Sequence, residues 1–182
     1  MSIEELNNEI KTKCCTFTEQ HRTLLGYGNH QAKTMFIGES PAPKGTEENI
    51  CPFLTGKSRP VFLRVLALFN ETAESAYTTN LVKCSIPNQK IGNPTFCLKN
   101  LLKEISIIKP KVIIVLSATV WTDLISDDEF NKITKHIKVI HYVHPMSAIY
   151  SNDIDGYIEG LNNEKKKIER KTNLFDFTSS WM

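Results

Sequence analysis

The chain has 182 residues, 41% of them hydrophobic, which suits a single domain over residues 1–182 with a full core, and no shift in composition divides it. Its 22 basic and 20 acidic side chains leave a formal charge of +2, so the protein as a whole has no electrostatic grip on nucleic acid and any such surface must be local. The start, Met1 to Glu5, lacks the basic and apolar segments of a signal peptide, and the longest apolar run, Val112 to Leu116, is far too short to span a bilayer. The expectation is a cytoplasmic monomer without membrane contact. In that reducing compartment Cys14, Cys15, Cys51, Cys84 and Cys97 point to packing, reactivity or metal ligation rather than to structural disulfides.

In chain order, Ile3, Leu6 and Ile10 recur at helical spacing, with Ser2 as a cap and Glu4 and Glu5 where the helix dipole favours acids. This predicts a helix over residues 3 to 13. Gly26 to Asn29 reads as a turn; its G-x-G lacks a third glycine and precedes a strand instead of following one, which argues against a dinucleotide fingerprint. Thr34 to Ile37 reads as a strand, followed by a long polar connection from Gly38 to Lys57, and connections of that length in a compact domain tend to carry function. A helix is predicted from Ser58, as cap, to about Asn70, with Pro60 in its first turn. Ala76 to Val82 is rich in strand-favouring residues, Phe96 to Ile108 has a helical apolar face stopped by Pro110, and Lys111 to Leu116 reads as a central buried strand. Helices are then predicted over Ala118 to Ile125 and, briefly, after Ser126, a strand over Lys138 to Val143, and a last helix from about Asp155 to Lys171. The tail from Asn173 carries Phe175, Phe177 and Trp181, aromatics suited to docking on the fold.

Strand and helix alternate repeatedly. This predicts an α/β fold: a three-layer α/β/α sandwich around a four-stranded, mainly parallel sheet. Ligands of such sheets bind beyond the carboxyl ends of the strands, and Glu39, Asn80, Ser117 and His144 all fall at or just past those ends. Four residues far apart in sequence can therefore converge.

Five blocks occur in order: Gly38-Glu39-Ser40-Pro41, Pro52-Phe53-Leu54-Thr55-Gly56, Thr78-Thr79-Asn80-Leu81-Val82-Lys83-Cys84, Lys109 to Leu116, and His144-Pro145. Together they resemble family 4 of the uracil-DNA glycosylase superfamily, its iron–sulfur type, over about residues 14 to 150. The resemblance implies an enzyme of base excision repair that hydrolyses the N-glycosidic bond of uracil in DNA and leaves an abasic site. It assigns Glu39 to positioning or activating the attacking water and to stabilising the sugar cation, and His144 to donating toward the uracil carbonyl as charge grows there. Phe53 would stack on an extruded base, Asn80 would pair with the uracil edge, and Gly38 belongs to the same base-binding set. Lys57, Ser58, Arg59 and Ser147 are expected at phosphates, and Met146 as a wedge in the space vacated by the base.

Two departures from the family pattern bear on this. Ala42-Pro43-Lys44 follows the first block where the family carries glycine and acids, with Glu47 and Glu48 further on; an altered pocket wall would admit another damaged or modified pyrimidine, and a glycosylase for a different base is the alternative reading. A binder of uracil-containing or single-stranded DNA that does not turn over is the other. The family's C-x-x-C is replaced by the adjacent Cys14-Cys15, with Cys84 and Cys97 at the third and fourth places. By resemblance, these four residues would hold a [4Fe–4S] cluster. Cys51 is read as a pocket or packing residue. No motif places a lysine for lyase chemistry.

Overall fold

The structure, a computed structural model, describes residues 1–13, 23–41, 51–84 and 94–179, with the side chains of the last helix through residue 170. Five strands form one sheet: β1 (Tyr27–Gly28), β2 (Thr34–Gly38), β3 (Tyr77–Asn80), β4 (Val112–Val115) and β5 (Lys138–His141), in the order β1-β3-β2-β4-β5. β2, β3, β4 and β5 are parallel, and β1 runs antiparallel on the edge of β3. The fifth strand falls where the sequence reads as a turn. Its two residues, Tyr27 and Gly28, are too few to show a strand period, and Gly28 has a positive φ of 113°. Pairing to Tyr77 and Thr78 is what makes the segment a strand.

Side chains alternate along each strand, and the alternation separates two apolar cores. Met35, Ile37, Tyr77, Ile113 and Val115 point to one face, where they meet α1 (Ile3–Lys13), α3 (Pro94–Ile108), α4 (Ala118–Ile125) and α5 (Asp128–Ile133). Phe36, Ile114, Leu116 and Ile140 point to the other, against α2 (Arg59–Leu68), α6 (Met146–Tyr150) and α7 (Ile154–Ser179). β2 lies at the centre with all five residues buried, which is why it reads as a continuous apolar run without a solvent face.

The helix ends show which local signals act. Ser2 and Glu5 form a reciprocal capping box on α1: the Glu5 N–H donates to Ser2 Oγ at 3.2 Å, and the Ser2 N–H donates to the Glu5 carboxylate at 2.7 Å. Asp127 caps α5 through Phe130 N–H. Ser58 precedes α2 as expected, but its side chain makes no capping bond, because its backbone is already helical (φ −77°, ψ −13°); Pro60, which has no N–H to satisfy, opens the helix instead. α7 continues through Lys171 to Ser179, so most of the tail is helical backbone. No described helix is long and apolar enough to cross a membrane.

Candidate active site

Strand β2 connects to β3 on one side, and β3 then crosses over to β4 on the other, so the loops leaving β2 and β4 diverge and leave a crevice at their carboxyl ends. Glu39 leaves β2 on one lip of that crevice and Ser117 leaves β4 on the other. Ser117 Oγ donates to Glu39 Oε2 at 3.1 Å and accepts the Val120 N–H as the N-cap of α4. One hydroxyl therefore fixes the carboxylate and the start of a helix together. The Glu39 carbonyl accepts the Val82 N–H at 2.8 Å, and the Gly38 carbonyl accepts the Leu81 N–H at 2.8 Å, so the chain beyond β2 is anchored to the chain beyond β3.

Beside this carboxylate is a cavity of about 340 Å³, within the range of about 300–1,000 Å³ common for small-molecule sites. Ser40, Pro41, Phe53, Asn80, His144 and Met146 line it. Phe53 takes a left-handed backbone (φ 65°), a conformation that costs about 1–3 kcal/mol for a residue of this kind, and its ring stacks on Phe62 at 4.7 Å between centroids. That bracing sets the ring over Gly38. A Cβ on Gly38 would collide with both the Phe53 ring and Asn80 Oδ1, so glycine is required for the two to approach. His144 stands 5.6 Å from Phe53 by ring centroids.

The imidazole of His144 is oriented from behind. The Met146 N–H donates to its Nδ1 at 3.1 Å, which makes Nδ1 the acceptor and leaves the neutral ring's proton on Nε2. Burial pushes the pKa of His144 below the ordinary histidine value, against the smaller opposing pull of the Glu39 charge. The segment is held by Tyr157, whose hydroxyl donates to the Val143 carbonyl at 2.7 Å. The site thus brings together a carboxylate held by Ser117, an imidazole whose Nδ1 is occupied by the Met146 N–H, the Phe53 ring and the Asn80 amide.

The residues expected at phosphates are not all at this cavity. Exposed Lys57 and buried Ser58 line its rim. Arg59 lines a neighbouring cavity with Tyr27 and Glu71, and Ser147 is half-buried in α6. The stretch after His144-Pro145, for which the sequence predicts no helix, is the short helix α6, started by the Ser147 N–H bonding to the His144 carbonyl. Tyr150 closes that helix 82% exposed on the cavity rim, one turn from Met146; sequence reasoning passed over it because exposure at a helix end has no sequence signature. Cys51, a pocket residue as expected, lines the cavity, is hydrogen-bonded to Thr78 Oγ1 at 3.4 Å, and has its thiol pKa pushed up by burial to about 11, which makes it inert.

Cys84 and Cys97 are buried in one apolar cluster with Leu6 and Ile10 of α1. Cys14 and Cys15 fall outside the described residues, as does Ala42-Pro43-Lys44, on which the wider base range was argued. Among the described residues, no three His, Cys, Asp or Glu side chains group to hold a metal ion.

A mainly parallel sheet with a carboxylate, a histidine and an aromatic-lined pocket at its carboxyl ends sets the architecture, and comparison with known proteins shows the family. The profile of the Uracil DNA glycosylase superfamily matches residues 25–169, and the chain belongs to that family. It is similar to the type-4 uracil-DNA glycosylase of Archaeoglobus fulgidus, at 27% identity over 97% of this chain and 98% of the relative. It is also similar to type-4 uracil-DNA glycosylases of Sulfurisphaera tokodaii (25%, over 87% of this chain and 80% of the relative) and Thermotoga maritima (32%, over 64% and 62%).

Proposed function

We propose that the protein is a uracil-DNA glycosylase that hydrolyses the bond between deoxyribose and uracil and leaves an abasic site, as a monofunctional enzyme. The observation that carries this reading is a carboxylate, Glu39, held by Ser117 close enough for its charge to act on His144, which lines a cavity with Phe53 and Asn80. As the glycosidic bond breaks, positive charge grows on the sugar and negative charge on the base. Glu39, fixed by Ser117, supplies the anion that stabilises the sugar cation and orients a water. His144 supplies the Nε2–H toward the base oxygen. A donor that starts neutral meets the growing negative charge without a desolvated cation having to be maintained in the ground state.

Recognition precedes this step, because neither group reaches a base inside the duplex. Phe53 stacks on the extruded ring. Asn80 matches the uracil N3–H and its adjacent carbonyl with an acceptor and a donor; on cytosine the same amide faces an acceptor where it needs a donor, and the mismatch leaves a buried polar group unpaired. Met146 fills the vacated space, and Lys57, Ser58, Arg59 and Ser147 meet the phosphates. Among the described residues, support for monofunctional chemistry comes from Lys83, which is 1% exposed and engaged by three acceptors, and from the placement of Lys57 at the exposed rim.

We further propose that Cys14, Cys15, Cys84 and Cys97 hold a [4Fe–4S] cluster that ties the N-terminal segment to the fold. Support comes from the burial of Cys84 and Cys97 in one cluster, and from α1, which ends at Lys13 beside Cys14 and packs on the helix that carries Cys97. Four thiolates suit such a cluster.

The test uses oligonucleotides with one uracil, one thymine or one 5-substituted uracil, each treated with alkali, and a parallel sample with borohydride. Scission at uracil after alkali with no trapped adduct is the expected result. Trapping would make the enzyme a lyase, scission only at another base would change the substrate, and tight binding without scission would make it a binder. An iron content near zero in anaerobically purified protein would remove the cluster.

A further inference from the structure

Lys83 and Glu104 form an ion pair at 2.6 Å with side chains 1% and 0% exposed, on β3's continuation and on α3. Burial of both charges is costly, and well-packed apolar side chains in their place are often as stable or more so, so stability alone gives no reason for the pair. Its contacts give one. Lys83 Nζ has three hydrogens and three acceptors: Glu104 Oε2, Thr79 Oγ1 at 2.6 Å, and the backbone carbonyl of Asn80. Glu104 is completed by the Tyr77 hydroxyl at 3.1 Å and by Thr79 Oγ1.

The Asn80 carbonyl belongs to the Asn80–Leu81 peptide, and the N–H of that peptide donates to the Gly38 carbonyl at 2.8 Å. Both ends of a single peptide plane are therefore fixed, one by Lys83 and the other by the strand that carries Glu39. Because the peptide bond is rigid, holding both ends sets the backbone from which the Asn80 side chain departs. An apolar side chain at position 83 would leave the carbonyl end unheld, at the place where β3 has run out of ladder partners.

We propose that Lys83 is a positioning residue for base recognition: with Glu104 and Thr79 it locks the Asn80–Leu81 peptide, and so aims the Asn80 amide at the edge of the extruded base. This rests on the assignment of Asn80 as base reader. Lys83 does not touch substrate; its effect passes entirely through Asn80, and Glu104 acts by holding Lys83.

The test is a double-mutant cycle built on Lys83→Met/Glu104→Met, which removes both charges together and leaves neither buried alone. The expected outcome is a cooperatively melting protein whose kcat/KM on a uracil oligonucleotide falls about tenfold or more. The fall should largely vanish in an Asn80→Ala background, while affinity for abasic-site DNA, which has no base to read, stays at the wild-type value. Thr79→Val, which deletes one Lys83 acceptor at nearly constant volume, should give a smaller loss of the same non-additive kind and serves if the double variant does not fold. Wild-type kinetics in either folded variant, additive losses with Asn80→Ala, or weakened abasic-site binding would each overturn the assignment of Lys83. Wild-type activity in Asn80→Ala alone would instead withdraw Asn80 as reader, and Lys83 with it.

Discussion

His144 carries a prediction about pH with a definite sign. Its folded pKa lies below the ordinary value because burial disfavours the charged ring, and a second proton would have to sit on Nδ1, facing the Met146 N–H. Between the folded and unfolded values the unfolded chain binds more protons, so stability rises with pH there; it is lost as pH falls below about 6.5, and the penalty stops growing below the folded value. With the neutral ring as the proposed donor, titration of His144 should not reduce kcat/KM as pH rises through 6 to 7. Resonance titration of the His144 ring alongside kinetics checks both statements, and a rate that declines over that interval would make the donor a cation. Gly38→Ala tests the pocket at the same scale. Its methyl would displace Phe53 and Asn80 together, with an overpacking cost of about 1–3 kcal/mol, and should reduce turnover well beyond the change in melting temperature.

Among the elements, α4 couples structure to chemistry through its N-cap, Ser117. Ser117→Ala removes the cap, at about 0.5–2 kcal/mol by thermal or denaturant unfolding, and frees Glu39 from the bond that orients it. Stability and kcat should therefore fall together. Ser117→Asp would keep the cap but set a second carboxylate against Glu39, and it should preserve stability better than activity. The strands show why elements were largely legible in sequence. β2 and β4 are buried on both faces and read as plain apolar runs, whereas β1 exists only because β3 offers an edge to two residues. α6 was missed for a similar reason: five residues are too few for a helical period, and the turn is nucleated by the His144 carbonyl.

For the whole molecule, strand topology brings Glu39, Asn80, Ser117 and His144 to one crevice, and the tendency of parallel sheets to bind ligands beyond their carboxyl ends makes that convergence readable in the sequence. What lay beyond reach were the supports. The pairing of Lys83 with Glu104 joins positions on different elements, and no spacing rule connects them. The Tyr157 hydroxyl on Val143 and the bracing of Phe53 by Phe62 are likewise products of packing. The central claim is that this crevice releases uracil by hydrolysis, with Glu39 and His144 as the reacting pair. Chromatographic measurement of free uracil released from a single-uracil oligonucleotide tests it most directly, using wild-type protein and folded Glu39→Ala and His144→Ala variants. Stoichiometric release by the wild type and at least a hundredfold slower release by each variant is the predicted result. No free uracil from the folded wild type, or undiminished release by both variants, would contradict it.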